Sequence, residues 1–150
     1  PPFITIAQSM QASFAQGGVK VDLLPAAGSQ VYARVRAKQH QAAIRLWIPD
    51  YFDAHSNASA FAWNDGKSST VAGLNGWKIP ELNNATLAAV AEPDPAKRLD
   101  LYKKMQEQLQ HNSPYVFVDQ GKTQIVVRDN VKGYQQGLNA DMVWYDRVTK

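Results

Sequence analysis

The chain has 150 residues with 4 Trp, 6 Tyr, 5 Phe and no Cys, and its formal charge is +3. This length suits one domain with a hydrophobic core, and 45% hydrophobic against 19% charged residues argues against intrinsic disorder. The lack of cysteine excludes disulfides, thiolate metal sites and cysteine nucleophiles. No apolar run approaches the roughly 20 residues that cross a bilayer.

The basic residues are scattered, although the isoelectric point is near 9.2. No basic run exceeds two residues, and the densest cluster is Arg34, Arg36 and Lys38. This cluster lies at the end of a short predicted helix, where cations interact favourably with the helix dipole. We therefore predict a solvated basic face and no nucleic-acid partner.

The first third of the chain alternates helical and strand patterns. Apolar residues spaced by three and four predict helices, whereas alternation or a continuous apolar run predicts strands. In chain order these are a helix over 3–14, a strand over 19–23, a helix over 30–38 and a strand over 42–48. This order predicts a largely parallel sheet with right-handed crossovers. Because a doubly wound sheet normally begins with a strand, we expect the first strand to be missing from this chain.

The rest of the chain begins with a stretch that lacks periodicity. Residues 53–77 are rich in Ser, Asn, Gly and Ala, which predicts a long loop. Helices are then predicted over 79–90 and from the N-cap Asp94 to about His111, and strands over 115–119 and 123–128. The extended piece 142–148 has no obvious partner within the chain. The predicted fold class is α/β, with a mixed, mostly parallel sheet flanked by helices.

Motifs for common catalytic and metal sites are missing. The Gly-Lys-Ser at 66–68 lacks the glycine that a phosphate-binding loop needs five residues earlier. His40, His55 and His111 have no metal-ligand spacing, so we expect neither a metal nor another cofactor. One catalytic alternative remains, a small secreted hydrolase that combines Asp50 with His55 and a serine.

Aromatic residues concentrate around Asp50 and Asp53, after the second predicted strand. They are Trp47, Tyr51, Phe52, Phe61 and Trp63. Ligands of open α/β sheets bind beyond the carboxyl ends of the strands, so this cluster is a candidate binding site. The alternatives are that the aromatic residues cap the core and that Asp50 is a turn residue after Pro49.

A series of short motifs occurs in one order along almost the whole chain. They are 6–11, 18–23, 32–36, Trp47-x-x-Asp50-x-x-Asp53, Asn75-Gly76-Trp77 before Pro80-Glu81-Leu82, Arg98-x-x-x-Tyr102, Ser113-Pro114-Tyr115 and 130–134. Their order resembles the C-terminal portion of the family 5 extracellular solute-binding proteins, the dipeptide, oligopeptide and nickel receptors of ABC importers. The resemblance implies a lobe of a type II periplasmic binding protein. Residues 1–128 would form an incomplete C-terminal ligand-binding lobe, and 129–150 a tail that returns toward an N-terminal lobe absent from this chain.

The resemblance also implies a binding protein rather than an enzyme, one that captures a peptide or peptide-like solute and delivers it to an ABC permease. In peptide-binding members the Asp of the Trp-x-x-Asp motif receives the α-amino group of the ligand, and Trp47 and Asp50 occupy these positions. Leu46 and Ala54 depart from the small residue and the proline that are frequent there, which leaves room for a ligand other than a simple dipeptide. Arg45 shares a strand face with Trp47 and is a candidate for an anionic group, with a solvent-facing or salt-bridged role as its alternative.

The implied location is periplasmic, with the signal peptide upstream of this chain. A receptor that presents its ligand to a sensor protein is a further alternative to transport. With half of a two-sided cleft, the chain should fold without binding a solute tightly. Unpaired strand edges lead us to expect self-association.

Overall fold

The computed structural model describes residues 2–122, 124–137 and 142–150. The chain divides into two compact units, Pro1–Trp47 and Ile48–Lys150. Helices make up 48% of the structure, and the described residues form no β-sheet. The predicted α/β lobe, with its mixed, mostly parallel sheet and missing first strand, is therefore wrong. An alternating or continuous apolar pattern favours a strand, but a sheet also requires a partner strand.

The segments predicted as strands form no strand within the described ranges. Residues 19–23, 42–48 and 115–119 adopt no helix and no ladder, and the same holds for 124–128. Thr123, the first residue of the last predicted strand, lies outside the described residues. The predicted strand segments are rich in β-branched and apolar side chains, which fit a pleated surface. The sequence pattern detects this side-chain preference and not the pairing of strands.

The first unit contains two helices, α1 (Pro2–Gln16) and α2 (Gly28–Arg36). Helix α1 ends before Gly17-Gly18: Gly18 has φ +78°, which glycine adopts without strain, and the Val19 amide donates to the Phe14 carbonyl at 2.9 Å. Helix α2 places Arg34 and Arg36 in its last turn, as predicted.

The second unit contains four α-helices and one 3-10 helix, Tyr145–Arg147, among its described residues. The α-helices come first along the chain. They are α3 (Ala54–Phe61), α4 (Val71–Leu74), α5 (Pro80–Ala91) and α6 (Pro95–Asn112). The predictions of α5 and α6 are confirmed, including Asp94 as the N-cap of α6, whose carboxylate accepts from the Ala96 and Lys97 amides. The long loop predicted over 53–77 is partly wrong, because α3 and α4 lie within it. Both helices are short and carry side-chain caps, Asp53 and Thr70.

The core of the second unit lies where α5 packs against α6 and α3 packs against both. Its buried residues are Ala58, Ala62, Leu82, Ala89, Tyr102, Met105 and Leu109. Alanines on α3 and α5 allow the helix backbones to approach the larger side chains of α6 closely. Full burial of a side chain such as Leu82 contributes about 1.5–3 kcal/mol to folding.

Two antiparallel bridges join the C-terminal residues to the segment before them. Lys132 pairs with Thr149, and Gln136 pairs with Val143. Gly133 has φ +72°, and a side chain there would collide with the Arg147 carbonyl. The prediction that 142–148 has no partner within the chain is therefore wrong, whereas the boundary at 128/129 stays a prediction. No helix in the described ranges is both long enough and apolar enough to span a bilayer.

Candidate functional site

A bidentate ion pair joins the start of α3 to the first turn of α6. Arg98 Nη2 donates to Asp53 Oδ1 at 2.7 Å, and Arg98 Nη1 donates to Asp53 Oδ2 at 2.9 Å. Arg98 also donates from Nε to the Ala89 carbonyl and from Nη2 to the Tyr102 hydroxyl, both at 3.2 Å. We call these four residues the Arg98 clamp. It ties the ends of three helices together through one guanidinium.

The electrostatics of the clamp keep Asp53 charged. Hydrogen bonds from Arg98, and then from the His55 amide, lower the pKa of Asp53 to about 2. The hydrogen bonds that Arg98 donates to Asp53 also raise the pKa of the Arg98 guanidinium. The two side chains retain 35% and 28% of their exposure for Asp53 and Arg98, so solvent screens part of this interaction.

The turn before α3 is fixed at both of its ends. The Asp50 amide donates to Ser56 Oγ at 3.0 Å, and the Asp53 amide donates to the Tyr51 carbonyl at 3.0 Å. The Asp53 carboxylate also accepts from the His55 amide, which caps α3. This leaves Asp50 exposed beside Tyr51 and Phe52, whose exposed fractions are 47% and 70%. We call these three exposed residues the 50–52 surface.

The structure places the predicted site residues in different surroundings. Asp50, Tyr51 and Phe52 are consecutive and exposed, whereas Phe61 packs edge-on against Tyr115 at 5.4 Å between ring centroids. Trp63 is half-buried just after α3, and its carbonyl accepts from the Thr70 hydroxyl. The ligand-binding roles of these five residues stay predictions.

Arg45 and Trp47, the two remaining predicted residues, belong to the first unit. The Arg45 guanidinium carbon lies 4.0 Å from the centre of the Tyr32 ring, and that of Arg36 lies 5.2 Å from the same centre. No described carboxylate forms an ion pair with Arg45. Stacking of this kind leaves the edge N–H groups of a guanidinium able to bind an anion. Trp47 is half-buried.

The catalytic alternative would need a base that activates a serine. His55 Nδ1 is buried and makes no hydrogen bond within the described ranges, and Ser56 Oγ instead accepts from the Asp50 amide. The part of the chain that the structure describes also contains no group of three His, Asp or Glu residues able to hold a metal ion. The geometry around Asp50 and His55 therefore does not assemble a nucleophile and base.

Sequence reasoning missed Arg98 and Ala89 as partners of the candidate site. Asp53 and Arg98 are separated by 45 residues, so no local pattern connects them. One signal was present: Arg98 and Tyr102 are four residues apart on one face of α6, next to the core positions Met105 and Leu109. An arginine at the edge of such a face needs an acceptor, and Asp53 was the acidic residue already singled out beside Asp50.

Comparison with known proteins gives a distant relationship. No protein-family model matches the chain, and no solved structure matches it. The "Dipeptide-binding protein" of Escherichia coli (strain K12) is 25% identical to it over 129 residues, which are 86% of this chain and 24% of that protein. The chain thus spans about a quarter of the length of this relative. The relative is named for binding rather than for catalysis.

Proposed function

We propose that this chain is part of a receptor that captures a peptide or peptide-like solute, with the 50–52 surface receiving the ammonium group of that solute. The observation that carries this proposal is an exposed carboxylate followed by two exposed aromatic residues on a turn fixed at both ends. Carboxylates form charge-assisted hydrogen bonds with an ammonium, and aromatic faces attract cations. The distant relationship to a dipeptide-binding protein supports the solute class.

Delivery of the solute to an ABC permease and a periplasmic location are further parts of the proposal. They rest on the resemblance of the ordered motifs to the family 5 solute-binding proteins. Leu46 and Ala54 depart from that family's usual residues, which leaves room for a ligand other than a simple dipeptide.

The deciding experiment replaces Asp50 by Asn in the natural protein that contains this chain. Binding of L-alanyl-L-alanine, measured by calorimetry, should weaken at least tenfold, because loss of one partner from a desolvated charge pair costs on the order of 2–5 kcal/mol. The melting temperature without ligand should stay nearly constant, since the Asp50 side chain is exposed and its amide remains bonded to Ser56.

Two controls make this test specific. Asp119→Asn removes another exposed carboxylate and should leave the affinity unchanged. N-acetylated alanyl-alanine lacks the ammonium, so it should bind weakly and with no difference between the wild type and Asp50→Asn. If Asp50→Asn binds alanyl-alanine as tightly as the wild type does, or unfolds without ligand, the proposed ligand contact is wrong. The peptide should also be recovered intact, because a hydrolase would cleave it.

A further inference from the structure

The 50–52 surface depends on how the turn that carries it is held. Asp53 ends this turn with the hydrogen bond from its amide to the Tyr51 carbonyl, and its two carboxylate oxygens accept from different donors. Oδ1 accepts from the His55 amide and from Arg98 Nη2, both at 2.7 Å, whereas Oδ2 accepts from Arg98 Nη1 alone at 2.9 Å. The helix cap and the ion pair thus converge on one side chain. A rotation of the Asp53 carboxylate would disturb both.

Arg98 is itself held from two further directions. Its Nε donates to the Ala89 carbonyl near the end of α5, and its Nη2 donates to the hydroxyl of Tyr102. Tyr102 is buried in the core of the second unit. Because a guanidinium is planar and its donors are fixed relative to one another, these bonds determine one orientation of the fork that Asp53 meets. A lysine ammonium has no such fork and can occupy only one of these positions at a time.

Tyr51 links the clamp to the exposed residues. The Tyr51 carbonyl accepts a hydrogen bond from the Asp53 amide at 3.0 Å, and the Asp53 carboxylate accepts from Arg98. The residue next to Asp50 is thus bonded directly to a member of the clamp.

We propose that Arg98 is a positioning residue for the 50–52 surface: its guanidinium fixes Asp53 against the helical core and so holds Asp50, Tyr51 and Phe52 ready for a ligand. The consequence for binding rests on the proposed function, whereas the consequence for the turn does not. In a purely stabilising role, loss of Arg98 would weaken the second unit as a whole. In a positioning role, it loosens the turn before it loosens the helices.

Amide hydrogen exchange on the full chain separates these two roles without any ligand. In Arg98→Lys and Arg98→Gln, the Asp50 and Asp53 amides should exchange at least tenfold faster, while the amides of α5 change far less. Lys104→Gln is the matched control, because it removes the exposed Lys104–Asp100 pair of 2.7 Å from the same helix. Leu109→Ala is the second control, since Leu109 lies in the same buried core as Tyr102 but forms none of the hydrogen bonds of the clamp.

A second variant keeps the test valid if the Arg98 variants fold poorly. Asp53→Asn retains an oxygen that can cap α3 but removes the charge, so it should also speed exchange at Asp50. Combined with Arg98→Gln it should add little, because both changes break the same interaction. Equal acceleration throughout the second unit, or no acceleration at Asp50 and Asp53, would overturn the proposal.

The affinity for L-alanyl-L-alanine completes the experiment. In the natural protein, Arg98→Lys should weaken binding about fivefold or more with Asp50 intact, and Lys104→Gln should have no effect. If Asp50→Asn weakens binding but Arg98→Lys does not, Arg98 does not position the surface for its ligand. If the wild type binds no peptide, the proposed function fails, and the exchange rates still decide whether Arg98 holds the turn.

Discussion

Helices α1 and α6 are similar in length and in apolar spacing, yet they differ in what they bury. In α6, Tyr102, Met105 and Leu109 are enclosed by α3 and α5. In α1, Phe3 and Phe14 remain exposed, and Val35 of α2 is the one buried hydrophobic residue among the described residues of the first unit. Apolar periodicity thus predicts a helix well, whereas burial depends on a second element that covers the apolar face.

The largest expected effect tests this contrast directly. Leu82→Ala on α5 should lower the free energy of unfolding by about 2–5 kcal/mol, because Leu82 is 0% exposed and its removal leaves a cavity in the core. Phe14→Ala on α1 should cost well under half as much, since Phe14 is 45% exposed. Urea unfolding monitored by circular dichroism measures both. Comparable losses would mean that α1 buries its apolar face as α5 does.

The next prediction, with a smaller effect, compares the Arg98 clamp with the exposed ion pair between Lys104 and Asp100 on α6. Because Arg98 lowers the pKa of Asp53 from 3.8 to about 2, the ion pair stabilises the folded protein above pH 3.8, and this contribution is lost as the pH falls through 2. At neutral pH, Asp53→Asn should lower the free energy of unfolding by on the order of 1 kcal/mol, given the partial exposure of both side chains.

The acid dependence is what identifies the clamp in this experiment. The difference between wild type and Asp53→Asn should shrink between pH 4 and pH 2, as measured by thermal unfolding over that range. Asp100→Asn, which breaks the exposed Lys104–Asp100 pair, should cause a much smaller change at any pH. A difference for Asp53→Asn that is independent of pH would show that the ion pair does not stabilise the folded state.

The elements that could be predicted from sequence are those with local causes. Asp94-Pro95 starts α6 because a carboxylate caps the first amides and proline suits the first helical position, and Gly17-Gly18 ends α1 because glycine accepts a positive φ. The predicted sheet failed because strand pairing is a relation between distant segments. Helix α3 was missed because its eight residues are mostly small and polar, and its start depends on the cap provided by Asp53.

The candidate site shows the same division between local and distant causes. The aromatic residues beside Asp50 were visible as a cluster in sequence, and the structure leaves Tyr51 and Phe52 exposed next to that carboxylate. The clamp beneath them joins Asp53 to an arginine 45 residues away, and no periodicity encodes such a contact. Phe61 belongs to the same sequence cluster but packs with Tyr115 against the helical core.

The prediction with the smallest effect on stability contrasts the helical core with the non-helical residues that follow it. Val116, Phe117 and Val118, and then Ile125, Val126 and Val127, are exposed apolar residues on backbone that forms no ladder within the described ranges. Backbone outside helices and ladders that carries β-branched side chains can pair with the backbone of another chain. Val126→Lys should change the free energy of unfolding by no more than about 0.5 kcal/mol, because Val126 is 96% exposed. It should nevertheless reduce the fraction of dimers and larger species that light scattering detects at high protein concentration.

Leu99→Lys, an equally drastic change on an exposed position of α6, should not reduce association, since the helical backbone around it is already hydrogen-bonded. A wild-type chain that remains monomeric at every concentration would contradict this expectation.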